Sequence, residues 1–395
     1  MSRHPLDICG ERIIAMSEQV DCLIVGAGPT GLTLGVGLRR AGKSVLIVEK
    51  HKTPLDFSKA ILLNSESLLA LDIYNLGIVE RLQVSGILID GISFHVNGRV
   101  VCSGQFDTDN TNRNHPIAVP QKGTESCLRD VFLEMGGRLM RGVTFNQVDA
   151  NAANGGDGSL EVILHTDDTD FIVECDWLFG CDGVHSAVRE ALQIPFPGLS
   201  LPGKIYILDA IVKSWSLSTH VNVFLGDDSQ FAILISTSPL TVRIIGTTRA
   251  ACAETLEKFE VKQIIWDGSF TNSFRLADSY GHGRIWLAGD AAHVHSPVGG
   301  RGMNMGILDA VALASAVANN TISTYEETRR PAARTWVWCN YYLTQLFLSK
   351  SLVYKWLRKI ISYGLVVLGY LLGPRLAMLM FQGMTNTQVK LRNEE

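Results

Sequence analysis

The sequence predicts an α/β protein: a Rossmann-like domain with an inserted β-sheet domain and a C-terminal helical region. Three observations carry this reading. A glycine-rich turn joins an apolar strand to an apolar helix near the N-terminus. Two later apolar strands each run into a turn containing a Gly–Asp or Asp–Gly pair. Between those two lies a long block of alternating, strand-like pattern.

The first turn sits in residues 20–50, VDCLIVGAGPTGLTLGVGLRRAGKSVLIVEK. Cys22 to Val25 read as a buried strand that ends in Gly26-Ala27-Gly28-Pro29-Thr30-Gly31, and an apolar helical pattern follows through Leu38. Gly42 stops the helix, and Val45 to Val48 form a second strand closed by Glu49 and Lys50. Each part suits a dinucleotide. Gly26 permits the tight turn, Gly28 leaves room for a pyrophosphate, and Gly31 lets the helix approach the sheet. The N–H groups and positive dipole end of the helix favour phosphate. Glu49 stands where an acid reaches a ribose hydroxyl, favouring an unphosphorylated ribose, as in FAD or NAD. A lone GxGxxG is weak; one set between strand and helix, with a trailing acid-tipped strand, is specific.

With 395 residues, 46% of them hydrophobic and 19% charged, the chain can form a sizeable core. A net charge of -4 and the absence of basic runs speak against a nucleic-acid partner. The eight cysteines include no CxxC pair and no zinc spacing, so no metal site is expected and a reducing, cytoplasmic setting fits. Residues 1–19 lack the apolar core of a secretory signal and read as a disordered tail, in which Met16 offers an alternative start.

Further along, 61–84 carries helical spacing, and Ile87 to Val101 alternates around Asn97-Gly98 as a hairpin. A polar loop over 103–116 precedes a helix over 121–136 and a strand over 142–148. Asn151 to Ser159 is a turn cluster, flanked by strands that include Val162–His165 and Phe171–Glu174. Residues 195–274 read as strands, at 204–213, 220–225, 231–236 and 241–248. Residues 331–395 are helical and apolar. Ile360 to Gly373 is nearly uncharged, but fourteen residues fall short of the roughly 20 that a spanning helix requires. A buried or interfacial helical cap is therefore expected, with membrane attachment the less favoured alternative.

The second motif is Gly180-Cys181-Asp182-Gly183-Val184-His185-Ser186-Ala187-Val188-Arg189, delivered by the strand through Trp177 to Phe179. The third begins with the strand Arg284 to Leu287 and runs through Gly289-Asp290-Ala291-Ala292-His293 to Pro297-Val298-Gly299-Gly300-Arg301-Gly302-Met303-Asn304, into a helix over 305–318. Three such strand ends exceed what a dehydrogenase needs. In this order, GxGxxG, DGxxSxVR and GDAAHxxxPxxGxGMN, they resemble the single-component FAD-dependent aromatic hydroxylases, of which p-hydroxybenzoate and phenol hydroxylases are typical. The resemblance covers about residues 20–330.

The resemblance implies an FAD-binding domain from 20–86, 103–190 and 275–330, a β-rich substrate domain from 87–102 and 191–274, and a C-terminal region from 331. It implies that Gly26, Ala27, Gly28 and Gly31 hold the FAD pyrophosphate, Glu49 with Lys50 the adenosine side, and Gln121 the phosphate–ribose region. Asp182 and Arg189 would serve FAD and NAD(P)H handling. Gly289 and Asp290 would hold the ribityl side, and Pro297 would pack beside the isoalloxazine ring. Gly299, Gly300, Gly302, Met303 and Asn304 would turn N–H groups toward the flavin N1/C2 carbonyl, where reduced flavin carries negative charge.

The implied activity is a monooxygenase. NADPH or NADH reduces FAD, O2 adds at C4a, and the hydroperoxide hydroxylates a small phenolic aromatic. Two departures bear on activity. Lys59 stands where an arginine is common, and Arg301 where glutamine is more frequent. The 195–274 block is also short, and the sequence is read as lacking the thioredoxin-like C-terminal domain of larger phenol hydroxylases, an expectation from the 395 residues given. Two alternatives follow: a flavin-dependent epoxidase or reductase of an apolar, membrane-associated substrate, and a family member that binds FAD without turnover. Asp182 and Asp290 also suit helix caps. His185, His293, His295 and the 336–342 aromatics suit packing, and no catalytic base stands out.

Overall fold

The computed structural model describes residues 18–54, 60–96, 98–105, 115–149, 158–213, 219–226, 231–349 and 351–372, with side chains omitted at 362, 363 and 365–372. Residues 1–17 of the expected tail, Lys59, Asn97, most of the 103–116 loop and of the 151–159 turn cluster, and the chain after 372 lie outside them; the last two tail residues, Glu18 and Gln19, instead begin the first strand.

Among the described residues the strands form three sheets. The first runs Gly281–His282, Ile285–Leu287, Asp170–Gly180, Glu18–Val25, Val45–Glu49, Arg138–Arg141, with Leu160–His165 and Thr144–Val148 joined to it antiparallel. Its central pairs are parallel, and their register decides the site: Val25 lies opposite both Val48 and Gly180, and Gly180 opposite Leu287. Four strands therefore finish at one carboxyl edge. That edge is where open α/β sheets bind ligands. The strands are apolar on both faces because helices cover both. Leu23, Ile24, Leu46 and Ile47 are fully buried, each such side chain stabilising by about 1.5–3 kcal/mol.

The second sheet runs His293–Val294, Val261–Leu276, Gly198–Val212, Thr241–Gly246, Phe231–Ser238, His220–Leu225, Gly91–Val96, Arg99–Gln105. Period-2 alternation gives it two apolar faces. Leu208, Ala210, Leu234, Val242 and Ile244 pack under Cys252 and Leu256 of the helix Arg249–Leu256. On the other face Ile92, Phe94, Val221, Val223 and Ile235 meet Ile61, Ile87, Ile89 and Ala118, with Phe347 and Ile361 from the C-terminal helices. The third sheet is small: Leu62–Leu63, Ile117–Ala118, Ile87–Leu88.

The structure departs from the sequence expectation in several places. The single helix expected over 61–84 is two, Ser65–Asp72 and Ile78–Ser85, because Asn75 (φ 53°) and Gly77 (φ 67°) turn left-handed between them. Arg138–Arg141 adds a strand ahead of Thr144–Val148, with Gly142 at φ 73° between them. A helix interrupts the β block at Arg249–Leu256, where the Thr248 side chain accepts from Ala251 N at 3.0 Å. The helix Ser323–Leu348 runs across the expected 330/331 boundary. Leu352–Leu372 is helical, and among the described residues no helix is long and apolar enough to cross a membrane.

Candidate cofactor site

The three turns meet at the carboxyl edge of the first sheet. Gly26 lies at φ 107°, and a Cβ there would stand 2.3 Å from the Cys181 carbonyl oxygen, so the first turn is packed against the second. A Cβ on Gly31 would stand 2.0 Å from the Gly26 carbonyl oxygen, which is the close helix–strand approach expected of the third glycine. Gly28 differs. Its φ is an ordinary -75°, and a Cβ there meets nothing within 4 Å. Its missing side chain is not required by the protein's own packing.

Ala27 is buried, and its N–H donates to Glu49 Oε2 at 2.9 Å, while Glu49 Oε1 accepts from His51 N at 3.0 Å. The acid that ends the second strand thus fixes the glycine turn before any ribose is considered, a role unread in the sequence. Lys50 follows it, exposed.

In the second motif Ser186 is the N-cap of the short helix Ala187–Ala191, its Oγ accepting from Arg189 N at 3.0 Å, while Asp182 Oδ2 accepts from the first two amides, Ala187 N at 2.7 Å and Val188 N at 3.3 Å. Its Oδ1 is enclosed with no hydrogen-bond partner, and burial pushes the carboxyl up against the hydrogen bonds it accepts. Gly183 lies at φ 84° with open space at its Cβ position. Arg189 is buried. It donates to the carbonyls of Val184 at 3.0 Å and Ala291 at 2.9 Å, and its guanidinium stacks 4.0 Å from the Phe196 ring centre. These contacts stitch the second motif to the third.

In the third, Gly289 lies at φ 62°, and its N–H donates to Asp309 Oδ2 at 3.2 Å. Asp290 is exposed beside it. Asp309 also accepts from His293 Nε2 at 2.6 Å and Arg329 Nε at 2.8 Å. Burial alone would raise its carboxyl, but His293 and Arg329 hold it below the usual carboxylate range. His295 donates from Nδ1 to the Ser296 carbonyl at 2.9 Å, and its Nε2 is enclosed. Burial lowers the ring to about 4, keeping it neutral near pH 7.

Pro297 to Arg301 forms the loop, and the helix Gly302–Ala318 opens three residues earlier than the 305–318 expected, so that Gly302, Met303 and Asn304 are its first turn. Gly299 (φ 92°) and Gly300 (φ 63°) are exposed and left-handed, and Cβ positions on Gly300 and Gly302 meet nothing within 4 Å. Met303 packs partly buried against the main core. Asn304 is the anchor: Nδ2 donates to Leu62 O and Gly300 O, both at 2.9 Å, and Oδ1 accepts from Asn64 N at 2.9 Å. Gln121 begins the helix Gln121–Glu134 near the same strand, its Nε2 donating to Glu125 Oε1 at 2.8 Å and its N–H to the Ala60 carbonyl at 3.0 Å.

The residues fit a dinucleotide. Open positions at Gly28, Gly183, Gly300 and Gly302 border one edge, and neither helix that opens there, Pro29–Arg40 or Gly302–Ala318, has a side-chain N-cap. Comparison with known proteins decides its kind. The sequence model described as "FAD binding domain" matches residues 19–338. The chain is 32% identical over 351 residues to 12-dehydrotetracycline 5-monooxygenase/anhydrotetracycline 6-monooxygenase of Streptomyces rimosus, covering 79% of this chain and 67% of that protein. The chain belongs to the FAD-dependent aromatic hydroxylase family.

Pentachlorophenol 4-monooxygenase of Sphingobium chlorophenolicum is 27% identical, over 85% of this chain and 65% of its own length. Among solved structures, the OxyS anhydrotetracycline hydroxylase of S. rimosus superposes with TM-score 0.72 at 28% identity, over 93% of this chain and 76% of that one. The p-nitrophenol 4-monooxygenase PnpA of Pseudomonas putida DLL-E4 shares the fold, with TM-score 0.76 at 18% identity over 94% and 100%. As a member of this family the chain is an FAD-dependent oxidoreductase. The candidate-site residues to which the sequence gives no role toward the third motif are Arg329 on Asp309, Glu66 and Trp336 (read there only as packing) around Arg301, and Asn340 on Val298. Each lies more than 15 residues from the group it serves, where local pattern carries no signal.

Proposed function

We propose that the chain hydroxylates an electron-rich, multi-ring phenolic compound, drawing reducing equivalents from NADPH or NADH and one oxygen atom from O2. The observation that carries this reading is the convergence of three turns at one sheet edge, with an open cradle at Gly28. The substrate class is drawn from relatives whose names specify anhydrotetracycline and 6-methylpretetramide. When bound, FAD supplies the redox chemistry, accepting a hydride and activating O2.

The chain's own residues bind and orient. In this reading the Gly28 cradle and the helix amides behind it take the pyrophosphate. Glu49, already committed to Ala27, keeps lone pairs for a ribose hydroxyl. Gln121 and Asp290 would flank the phosphate and ribityl parts, and the amides of 299–304 would face the pyrimidine edge of the ring. We assign 20–86, 103–190 and 275–330 to cofactor binding. We assign 87–102 and 191–274 to the cover that excludes water from the reacting ring, a role the apolar inner sheet face suits. A cytoplasmic setting follows from the need for NAD(P)H.

Turnover of anhydrotetracycline and a panel of polyphenols under ¹⁸O2, read by product mass, tests the proposal. One labelled oxygen in the product supports it. NAD(P)H oxidation that yields only hydrogen peroxide with every compound contradicts it.

A further inference from the structure

The loop Pro297–Arg301 is gripped from two sides. On one side Asn304 binds Gly300 and Leu62, and Ser296 Oγ donates to Asn272 Oδ1 at 2.8 Å. On the other side stands the helix Ser323–Leu348. Its Asn340, buried, donates from Nδ2 to the Val298 carbonyl. One turn earlier on the same face, the Trp336 ring lies 3.7 Å beneath the Arg301 guanidinium. Arg301 is 5% exposed although its nearest carboxylate oxygen, Glu66 Oε2, is 4.0 Å away and makes no hydrogen bond. Burial pulls the guanidinium down to about 10, with Glu66 opposing, so it remains a cation at pH 7. The buried cation thus sits against a ring face of the helix Ser323–Leu348, with Glu66 on the opposite element.

We propose that the helix Ser323–Leu348 is a latch on the cofactor loop, and that Arg301, Trp336 and Asn340 are its positioning residues. This rests on the reading that the loop faces the flavin. The Arg301–Trp336 stack fixes the loop's last turn before its helix, and Asn340 fixes the carbonyl of the residue before Gly299. Between those points lie two left-handed glycines, where Gly300 donates to the Pro297 carbonyl at 3.0 Å and accepts from Asn304; the latch holds the residues on either side of them. Arg301 also places a positive charge under the loop in a poorly solvated position. That charge favours the reduced, negatively charged flavin over the oxidised one.

The test compares Arg301→Met, Trp336→Leu, their double variant and Trp336→Phe. Amide hydrogen exchange of residues 298–303 is read in the apoprotein, and FAD affinity and midpoint potential in the reconstituted enzyme. The latch predicts faster exchange in both single variants and FAD affinity lower by roughly tenfold, the order of a desolvated cation–π contact. The double variant should be no worse than either single one, Trp336→Phe should stay near wild type, and Arg301→Met should lower the potential. Unchanged exchange, or losses that multiply in the double variant, would overturn the latch. Faster exchange with unaltered FAD affinity and potential would overturn its connection to the cofactor. Failure of the wild-type protein itself to take up FAD would show instead as a blank in the second readout, leaving the exchange data to judge the latch.

Discussion

His293 donates from Nε2 to Asp309 Oδ2 at 2.6 Å, and the pair is almost wholly buried, with side-chain exposures of 1% and 0%. Arg329 closes the other carboxylate oxygen, and the Gly289 amide shares the first. One carboxylate thus ties the turn before Asp290 to two helices. Asp309→Asn should cost about 3–5 kcal/mol in urea unfolding, because Arg329 is left buried without its counter-charge. A loss below about 1 kcal/mol would contradict that account. The carboxyl is held below its ordinary 3.8, so its contribution is complete above that value and is lost as pH falls further.

His295 sets a different pH window. Folded, the ring titrates at about 4 against an ordinary 6.5. Below 6.5 the unfolded chain takes up a proton that the folded chain refuses. Stability should therefore fall as pH drops from 6.5 to about 4 and gain no further slope from this residue below that. The full effect is on the order of 3–4 kcal/mol. Subtracting the urea-unfolding profile of His295→Asn from wild type checks it. A flat difference across that window would contradict the burial argument.

The glycines of the first turn should separate fold from binding. Gly26→Ala places a methyl group against the Cys181 carbonyl and strains a φ of 107°, so the apoprotein should lose at least about 2 kcal/mol. Gly28→Val meets open space at an ordinary φ. It should leave apoprotein melting nearly unchanged while reducing FAD affinity by about 100-fold or more. Equal FAD affinity in Gly28→Val, measured by fluorescence titration, would mean that the cradle is misassigned.

Asp290 and Glu49 offer a second separation. Asp290 is exposed in the 3-10 turn Gly289–Ala291 after the strand, and Asp290→Ala should release FAD while the apoprotein still folds and unfolds cooperatively in urea. Glu49→Ala should do both kinds of harm, because it also removes the acceptor for the Ala27 amide, at a cost of about 1–3 kcal/mol. Retained flavin in Asp290→Ala would remove that residue from the site.

Much of the candidate site is legible in sequence as a pattern, because its logic is local. A strand, a glycine turn and a helix start are adjacent in sequence, so Gly26 to Gly31, Asp182 to Arg189 and Gly289 to Asn304 announce themselves. The strands at 220–225 and 285–287 were legible for the same reason, through period and apolar runs. The helix Arg249–Leu256 was not. It is eight residues long, and the strand patterns around it dominate. Asn75 and Gly77 hid a helix break inside a spacing that reads as continuous. Arg189 shows a different limit: the motif marks it as important, but only tertiary structure reveals that it spans to the Ala291 carbonyl. Arg329 and Asn340 act through hydrogen bonds to distant segments, which no local pattern marks, and the Trp336 ring, read in the sequence as packing, meets a particular partner only in the tertiary structure.

The most direct test of the central claim is the absorbance spectrum of protein reconstituted with FAD, followed anaerobically as NADPH or NADH and then multi-ring phenols are added. The account predicts a bound flavin that bleaches, and bleaches faster when a fitting phenol is present. Protein that retains no flavin after reconstitution, or a bound flavin that neither nicotinamide reduces with any phenol, would contradict it.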